Sequence, residues 1–357
     1  MAFSYKASIT IDHNKVGTVN NTDQTNFPVL VSGTYDGTAG APNLKSAGNS
    51  GHVQNGNGYD IYFYSDSGLT TRIPAERETY NASTGAVLFW VNVSTVSHTS
   101  DTVIYVGYGD SGISTDPNSD ATYGKNAVWD SSYKEVLHLP DGSSLSVNDS
   151  TSNANNGSSN TAAATTGQID GGSAHNGGSF FTPQLNVFQS NNFSIDFWFK
   201  SNDTSVSNNY IMINYNAGPQ NAIIYEYVDN QIEFFANSYT GSDPRPNTQI
   251  NITDTNWHHI VYQYDGTNWE AFKDGVQIMA QTRTFNLTPE LTTWEWVTAN
   301  HNLDELRVSN AKRSADWITT EYNNESSPST FYTMGSEQST GGGGVTFIPR
   351  RIMLGIG

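Results

Sequence analysis

The stretch Trp257–Ile278, WHHIVYQYDGTNWEAFKDGVQI, constrains the possible folds of this chain more than any other. Aromatic and β-branched residues crowd two runs, Trp257–Tyr264 and Trp269–Lys273. Each run leads into an Asp-Gly pair, Asp265-Gly266 and Asp274-Gly275, the residue types that supply positive φ in hairpin turns. Two linked β-hairpins are expected here. The later stretch Leu303–Asn324 reads as one short strand, Leu303–Ser309, followed by a helical turn with Trp317, Ile318 and Tyr322 on one side. Neither stretch holds an arrangement capable of covalent chemistry, which points toward a binding or scaffolding role.

Composition supports many short strands, because Asn, Ser, Thr, Gly and aromatics dominate while Leu and Ala are sparse. A length of 357 residues accommodates two ordinary domains. The formal charge of −18 opposes nucleic acid or an anionic membrane as partner, since phosphates repel such a surface. With no cysteine there is neither a disulfide staple nor thiolate chemistry. No apolar run approaches the length of a membrane span. Met1-Ala-Phe-Ser-Tyr-Lys runs directly into an alternating strand, so an ordinary signal peptide is not expected.

The first 110 residues alternate strongly around Tyr5, Phe27–Val31, Tyr59–Tyr64, Ala86–Val93 and Thr102–Tyr108, which predicts one antiparallel β-sandwich. Gly33–Gly58, rich in Gly, Asn and Ser, reads as a long exposed loop, and residues 111–127 read as the domain connection. A second β-rich unit spans 128–337, with Asn148–Thr166 as a small-polar loop. Residues 338–357 form a Gly-rich linker and then a basic, apolar tail, opposite in character to the acidic body.

These residues resemble two known families. Ile9-Thr-Ile-Asp-His, Asn26-Phe-Pro-Val-Leu-Val, Tyr59-Asp-Ile-Tyr-Phe, Leu88-Phe-Trp-Val and Tyr105-Val-Gly-Tyr-Gly resemble the DUF2341 family, a β-domain of unsettled function. Val128-Trp-Asp, Val136-Leu-His-Leu, Asp149-Ser-Thr-Ser-Asn, Gly171-Gly-Ser-Ala, Phe193-Ser-Ile-Asp-Phe-Trp-Phe, Trp257-His-His-Ile-Val and Leu303-Asp-Glu-Leu-Arg-Val-Ser are similar to a laminin-G-like, concanavalin A-like lectin domain. The resemblance implies an all-β chain, with an N-terminal antiparallel sandwich followed by a jelly-roll sandwich. Such pairs occur in secreted bacterial proteins and in bacteriophage structural proteins, where the implied role is adhesion or glycan recognition.

The jelly-roll resemblance also admits glycoside hydrolases, which need two carboxylates flanking the scissile bond. No strand here supplies two inward carboxylates, because Asp304 and Glu305 are adjacent and alternate faces. A non-enzyme is expected, with hydrolysis a distant third reading. His258 and His259 likewise alternate faces, so they read as one packed and one surface histidine, not as a chelating pair. Calcium is the more suitable ion, with no organic cofactor expected. The loop at Asp149 concentrates oxygen ligands, and the resemblance implies that Asp304 on the last strand completes the site.

A sugar site requires exposed aromatic faces. Tyr225 and Tyr227 share one strand face, and Tyr215, Tyr239, Trp294 and Trp296 are further candidates. The tail at 345–357 suits a partner in a larger assembly, through apolar Phe347, Ile348, Ile352, Met353 and Leu354 with Arg350 and Arg351 pairing acids. The expected function is a non-enzymatic virion surface protein, such as a capsid decoration, tail or fibre-associated component. It would carry a lectin-like domain, be made in the host cytoplasm and be anchored by its tail, with homo-oligomerisation open. The alternative is a free bacterial carbohydrate-binding or adhesion protein at the cell surface or outside it.

Overall fold

The computed structural model describes residues 2–140, 144–158, 160–202, 209–214, 221–226, 231–235, 249–282, 287, 290, 292–296 and 300–341. Period-two burial builds the first sandwich. Ala7, Ile9 and Ile11 of the strand Tyr5–Ile11 are fully buried, and the intervening residues are partly exposed. That strand lies in a sheet with spatial order Tyr332–Met334, Tyr5–Ile11, Thr102–Tyr108, Tyr62–Tyr64 and Arg72–Ile73. The facing sheet runs Gln24–Thr34, Ala86–Val96, Ala75–Asn81. Between them pack Ile9, Val29, Val31, Phe89, Val91, Ile104 and Val106.

The second sandwich is larger. One sheet orders Val276–Thr282, Asn268–Lys273, His258–Tyr264, Phe193–Ser201, His301–Ser309, Gly171–Ala174 and Ala163–Thr166, with Tyr133–Leu137 also pairing to His301–Ser309. The other orders Phe180–Thr182, Trp294–Trp296, Asn209–Asn214, Asn221–Glu226, Gln231–Phe235 and Ile250–Asn251. Phe193, Ile195, Phe197 and Phe199 point into the shared core beside Tyr262, Trp269 and Leu303. The two linked hairpins are present as expected, with Gly266, Asp274 and Gly275 at positive φ.

Three expectations change. Gly33–Gly58 is not simply an exposed loop: Leu44 and Val53 are buried in the first core, and Asp36–Asn43 and Ser46–Val53 form bridges. Residues 111–127 are strapped onto the first sandwich, through the Arg72–Asp120 and Arg77–Asp116 ion pairs and an Ala75 amide donating to the Tyr123 carbonyl. Finally, Tyr332–Met334, from the region assigned to the second domain, and Gln338–Ser339, from the region assigned to the linker, both pair with Tyr5–Ile11 and complete the first sandwich. Strands this short carry no sequence signal for a partner some 330 residues away.

The helix Ala315–Ser326 makes that return possible. Ser314 caps it, accepting from the Trp317 amide at 3.0 Å. Trp317 enters the first core with its ring 4.8 Å from Phe27, whereas Ile318 packs on Val261 and Phe272 of the second sandwich. The expected one-sided apolar stripe is therefore split, because consecutive helical residues diverge by about 100°. Asn324 clamps Leu30 by accepting from its amide and donating to its carbonyl. Asp316 accepts from the amides of Val19, Asn20 and Thr22. The helix is a wedge held by both units.

Candidate functional site

Asp149 organises its loop through backbone contacts. Oδ1 accepts from the Val136 and Thr151 amides, both at 2.9 Å, and Oδ2 from Thr151 Oγ1 at 2.7 Å and the Asn155 amide at 2.8 Å. Asp304 Oδ2 accepts from the Gln168 and Ile169 amides at 2.7 and 3.0 Å, while the buried Oδ1 has no hydrogen-bond partner. Burial, then the neighbouring Glu305, pushes the Asp304 carboxyl well above the usual range. Among the described residues, three groups of acidic and histidine side chains are close enough to share an ion, and neither Asp149 nor Asp304 belongs to any of them.

Trp294 and Trp296 are fully buried. Trp294 stacks on Phe188 with centroids 5.0 Å apart and donates its indole N–H to Glu290, and Trp296 stacks on Phe180 at 6.2 Å. Neither presents a face to a sugar, because both residues point into the sandwich core. Tyr215, Tyr227 and Tyr239, the side chain of Tyr225, and Phe347, Ile348, Arg350, Arg351, Ile352, Met353 and Leu354 lie outside the described residues. His258 and His259 do face opposite ways, but both are buried. His258 pairs with Asp274 at 2.8 Å and Asp254 at 3.1 Å, so it is not a free surface histidine.

The densest chemistry lies where the two sandwiches meet, and its burial was not evident from sequence. The outer face of the three-stranded sheet presents Leu30, Leu88 and Trp90 to Val128, Trp129, Tyr133 and Val136. Within this apolar frame, Glu76, Glu78, Asp196, Glu305, Glu321 and Glu325 surround Arg307 and His138. The Arg307 guanidinium is 1% exposed and lies 2.6 Å from Glu325, 2.9 Å from Glu321 and Glu305, and 3.5 Å from Asp196. It also stacks 4.8 Å from the Trp90 ring. Trp198 adds an indole N–H to Glu325 at 2.7 Å.

A β-bulge brings Glu305 into this cluster. Glu305 has φ 48°, and the register shifts between Asp196 and Trp198, so Leu303 and Leu306 both enter the core. Asp304 and Glu305 therefore lie together outside the core, not on opposite faces as regular alternation implies. His138 Nδ1 meets Glu305 at 2.9 Å and Nε2 meets Glu76 at 3.3 Å. Burial alone would lower the His138 pKa, but Glu305, Glu78 and Glu76 hold it well above the usual imidazole range.

The neighbouring glutamates diverge for a physical reason. Burial raises both, yet Glu76 is held below its ordinary value by His138, Ser150 and Trp129, all of which contact it. Glu78 has one indole donor from Trp90, its Oε1 has no partner, and burial pushes it up to about 8. Both His138 and Glu78 thus bind protons more tightly folded than unfolded. Their stabilisation is complete below their unfolded values and is lost as pH rises through the folded ones. Below about pH 6.5 the buried neutral His175, His259 and His301, whose pKa values are lowered by burial, oppose this trend. Stability is therefore expected to fall between about pH 6.5 and 8, by on the order of 1.4 kcal/mol per pH unit per extra proton. Calorimetry should show Tm decreasing over this window and a shallower slope for Glu78→Gln. A flat or rising Tm refutes the assignment.

Two family models agree with this architecture. Residues 170–319 match the family model described as the concanavalin A-like lectin/glucanases superfamily, and residues 57–136 match the domain of unknown function DUF2341. No curated protein sequence matches the chain. Among solved structures, domain 4 of AbnA, an extracellular arabinanase from Geobacillus stearothermophilus in complex with arabinotriose, is 17% identical, with 52% of this chain and 96% of that one covered and a TM-score of 0.44. The binding domain of botulinum neurotoxin DC in complex with SialylT is 13% identical, with 55% and 52% covered and a TM-score of 0.43. The chain spans about half the length of that toxin domain. The two family matches stand in the order implied by the residues: the chain carries a DUF2341 domain followed by a concanavalin A-like domain.

Proposed function

We propose that this chain is a non-enzymatic virion surface protein that carries a lectin-like sandwich for glycan or host-surface adhesion and is anchored by residues 345–357. The observation that carries this reading is the position of the last described strand. Gln338–Ser339 pairs with Tyr5–Ile11, in the sheet facing the three-stranded one that packs on Val128, Trp129, Tyr133 and Val136. The last described strand thus belongs to the first sandwich and not to the concanavalin A-like one, which suits anchoring through one unit and recognition through the other. The family description of the second domain supports a carbohydrate ligand. Supporting a non-enzymatic role, the clustered carboxylates among the described residues are buried between the domains and paired to Arg307 and His138, which leaves them ill-placed to flank a glycosidic bond.

Two measurements test it. The full chain is expected to give hits on a glycan array and to co-sediment with the assembled particle. A variant lacking 342–357 should keep the glycan signal and lose the particle. Co-sedimentation unchanged by the deletion overturns the anchoring role, and an empty array overturns the lectin role. Glycan binding by a protein that never enters a particle would favour a free adhesion protein instead.

A further inference from the structure

We infer that Asp196, His259 and Glu321 form a binding site for one divalent transition-metal ion of the zinc class, which staples the helix Ala315–Ser326 to the back of the concanavalin A-like sheet. Asp196 and His259 come from neighbouring strands. Asp196 pairs with Val261 and Trp198 with His259, so all four residues share one sheet face. Glu321 descends from the helix packed over that face. One ligand atom from each of the three side chains lies within 4.8 Å of the other two. Zinc holds its ligands at about 2.0–2.2 Å, so closing these atoms onto one ion takes shifts of about 1 Å.

An independent observation points to a ligand here. His259 is 1% exposed, yet neither ring nitrogen has a hydrogen-bond partner, and Asp196 Oδ1 also lacks one. An imidazole buried with both nitrogens unsatisfied forfeits hydrogen bonds that water would provide, and such groups call for an explanation. Trp198 and Tyr322 flank the ring with centroids 5.3 and 6.4 Å away, so apolar walls surround it. Burial holds the imidazole neutral, with its pKa lowered to about 3, and neutral imidazole is the ligating form.

Charge balance favours a cation. Arg307 faces Asp196, Glu305, Glu321 and Glu325, with His138 at Glu305 and Arg313 acting from farther off, so carboxyls outnumber cations. Burial raises the Asp196 and Glu321 pKa values, a strain that a divalent ion would relieve. One imidazole with two carboxylates selects a borderline ion over calcium or magnesium, which prefer oxygen alone. The other two groups lack this vacancy. His138 already spends both ring nitrogens on Glu305 and Glu76, and His13 is held by Asp101 at 2.7 Å near the surface.

The test uses the untagged full chain, unfolded with chelator and refolded with or without zinc chloride, so that burial does not block entry. After desalting, elemental analysis should find one zinc per chain, and cobalt substitution should give visible d–d bands. Zinc should raise the Tm of the wild type. His259→Gln should lose the bound equivalent, the bands and the shift, whereas His258→Gln, whose ring belongs to Asp274 and Asp254, should retain them. Glu321→Gln provides a second variant if His259→Gln does not refold. The inference is overturned if the refolded wild type retains no zinc, or if His259→Gln and Glu321→Gln retain as much as the wild type.

Discussion

Replacing Arg307 by Met is expected to destabilise the protein by about 3–5 kcal/mol, the cost of leaving buried carboxylates without their counter-charge. The guanidinium touches Glu305, Glu321 and Glu325 within hydrogen-bond distance and lies near Asp196, and its side chain is 1% exposed. Solvent cannot screen this pair network as it screens a surface ion pair. The loss should be largest at alkaline pH and smaller at acid pH, where Asp196, pushed up to about 7 by burial, and Glu321, also raised by burial, are protonated and no longer repel. Urea denaturation at two pH values measures both. Adding Glu321→Gln to the Met variant should recover part of the loss, because one uncompensated charge disappears. An unchanged midpoint would mean that the cluster is hydrated and that the interface does not depend on it.

Trp317→Ala is expected to cost about 3–5 kcal/mol, the usual range for a buried tryptophan replaced by alanine. The side chain leaves a helix that follows the second sandwich in sequence, yet it fills the first core against Phe27. The variant should therefore lower the melting of the first sandwich, even though the residue lies about 290 positions from that sandwich's partner strand. Calorimetry of the wild type should show the two sandwiches melting together, since the wedge and the polar cluster join them. Trp317→Ala should split that transition, with the first sandwich unfolding earlier. A variant that keeps a single transition at the same temperature would show that the wedge adds little.

Much of the fold was legible because its causes are local. The runs around Trp257–Lys273 and the two Asp-Gly pairs determine strands and turns within a few residues, and these hairpins occur as expected. The family resemblance extended that reading to two β-domains in the right order. The candidate site was less legible. Trp294 and Trp296 offer the same residue type whether they line a sugar site or a core, and only the packing of Phe180 and Phe188 against them decides for the core. His259 read as half of an alternating pair, without sign that Asp196 and Glu321 would converge on it.

Sequence by itself determined the all-β class, the hairpin meander and the absence of cysteine chemistry, because side-chain periodicity and turn φ are properties of adjacent residues. Tertiary structure alone decided which charges are buried. Leu303-Asp-Glu-Leu-Arg-Val-Ser reads as a regular strand whose adjacent acids face opposite sides, until the bulge at Glu305 puts both acids outside the core and the helix lays Glu321 and Glu325 over Arg307. Desolvation and Coulomb energy depend on distances across the whole fold, and residues far apart in the chain set those distances.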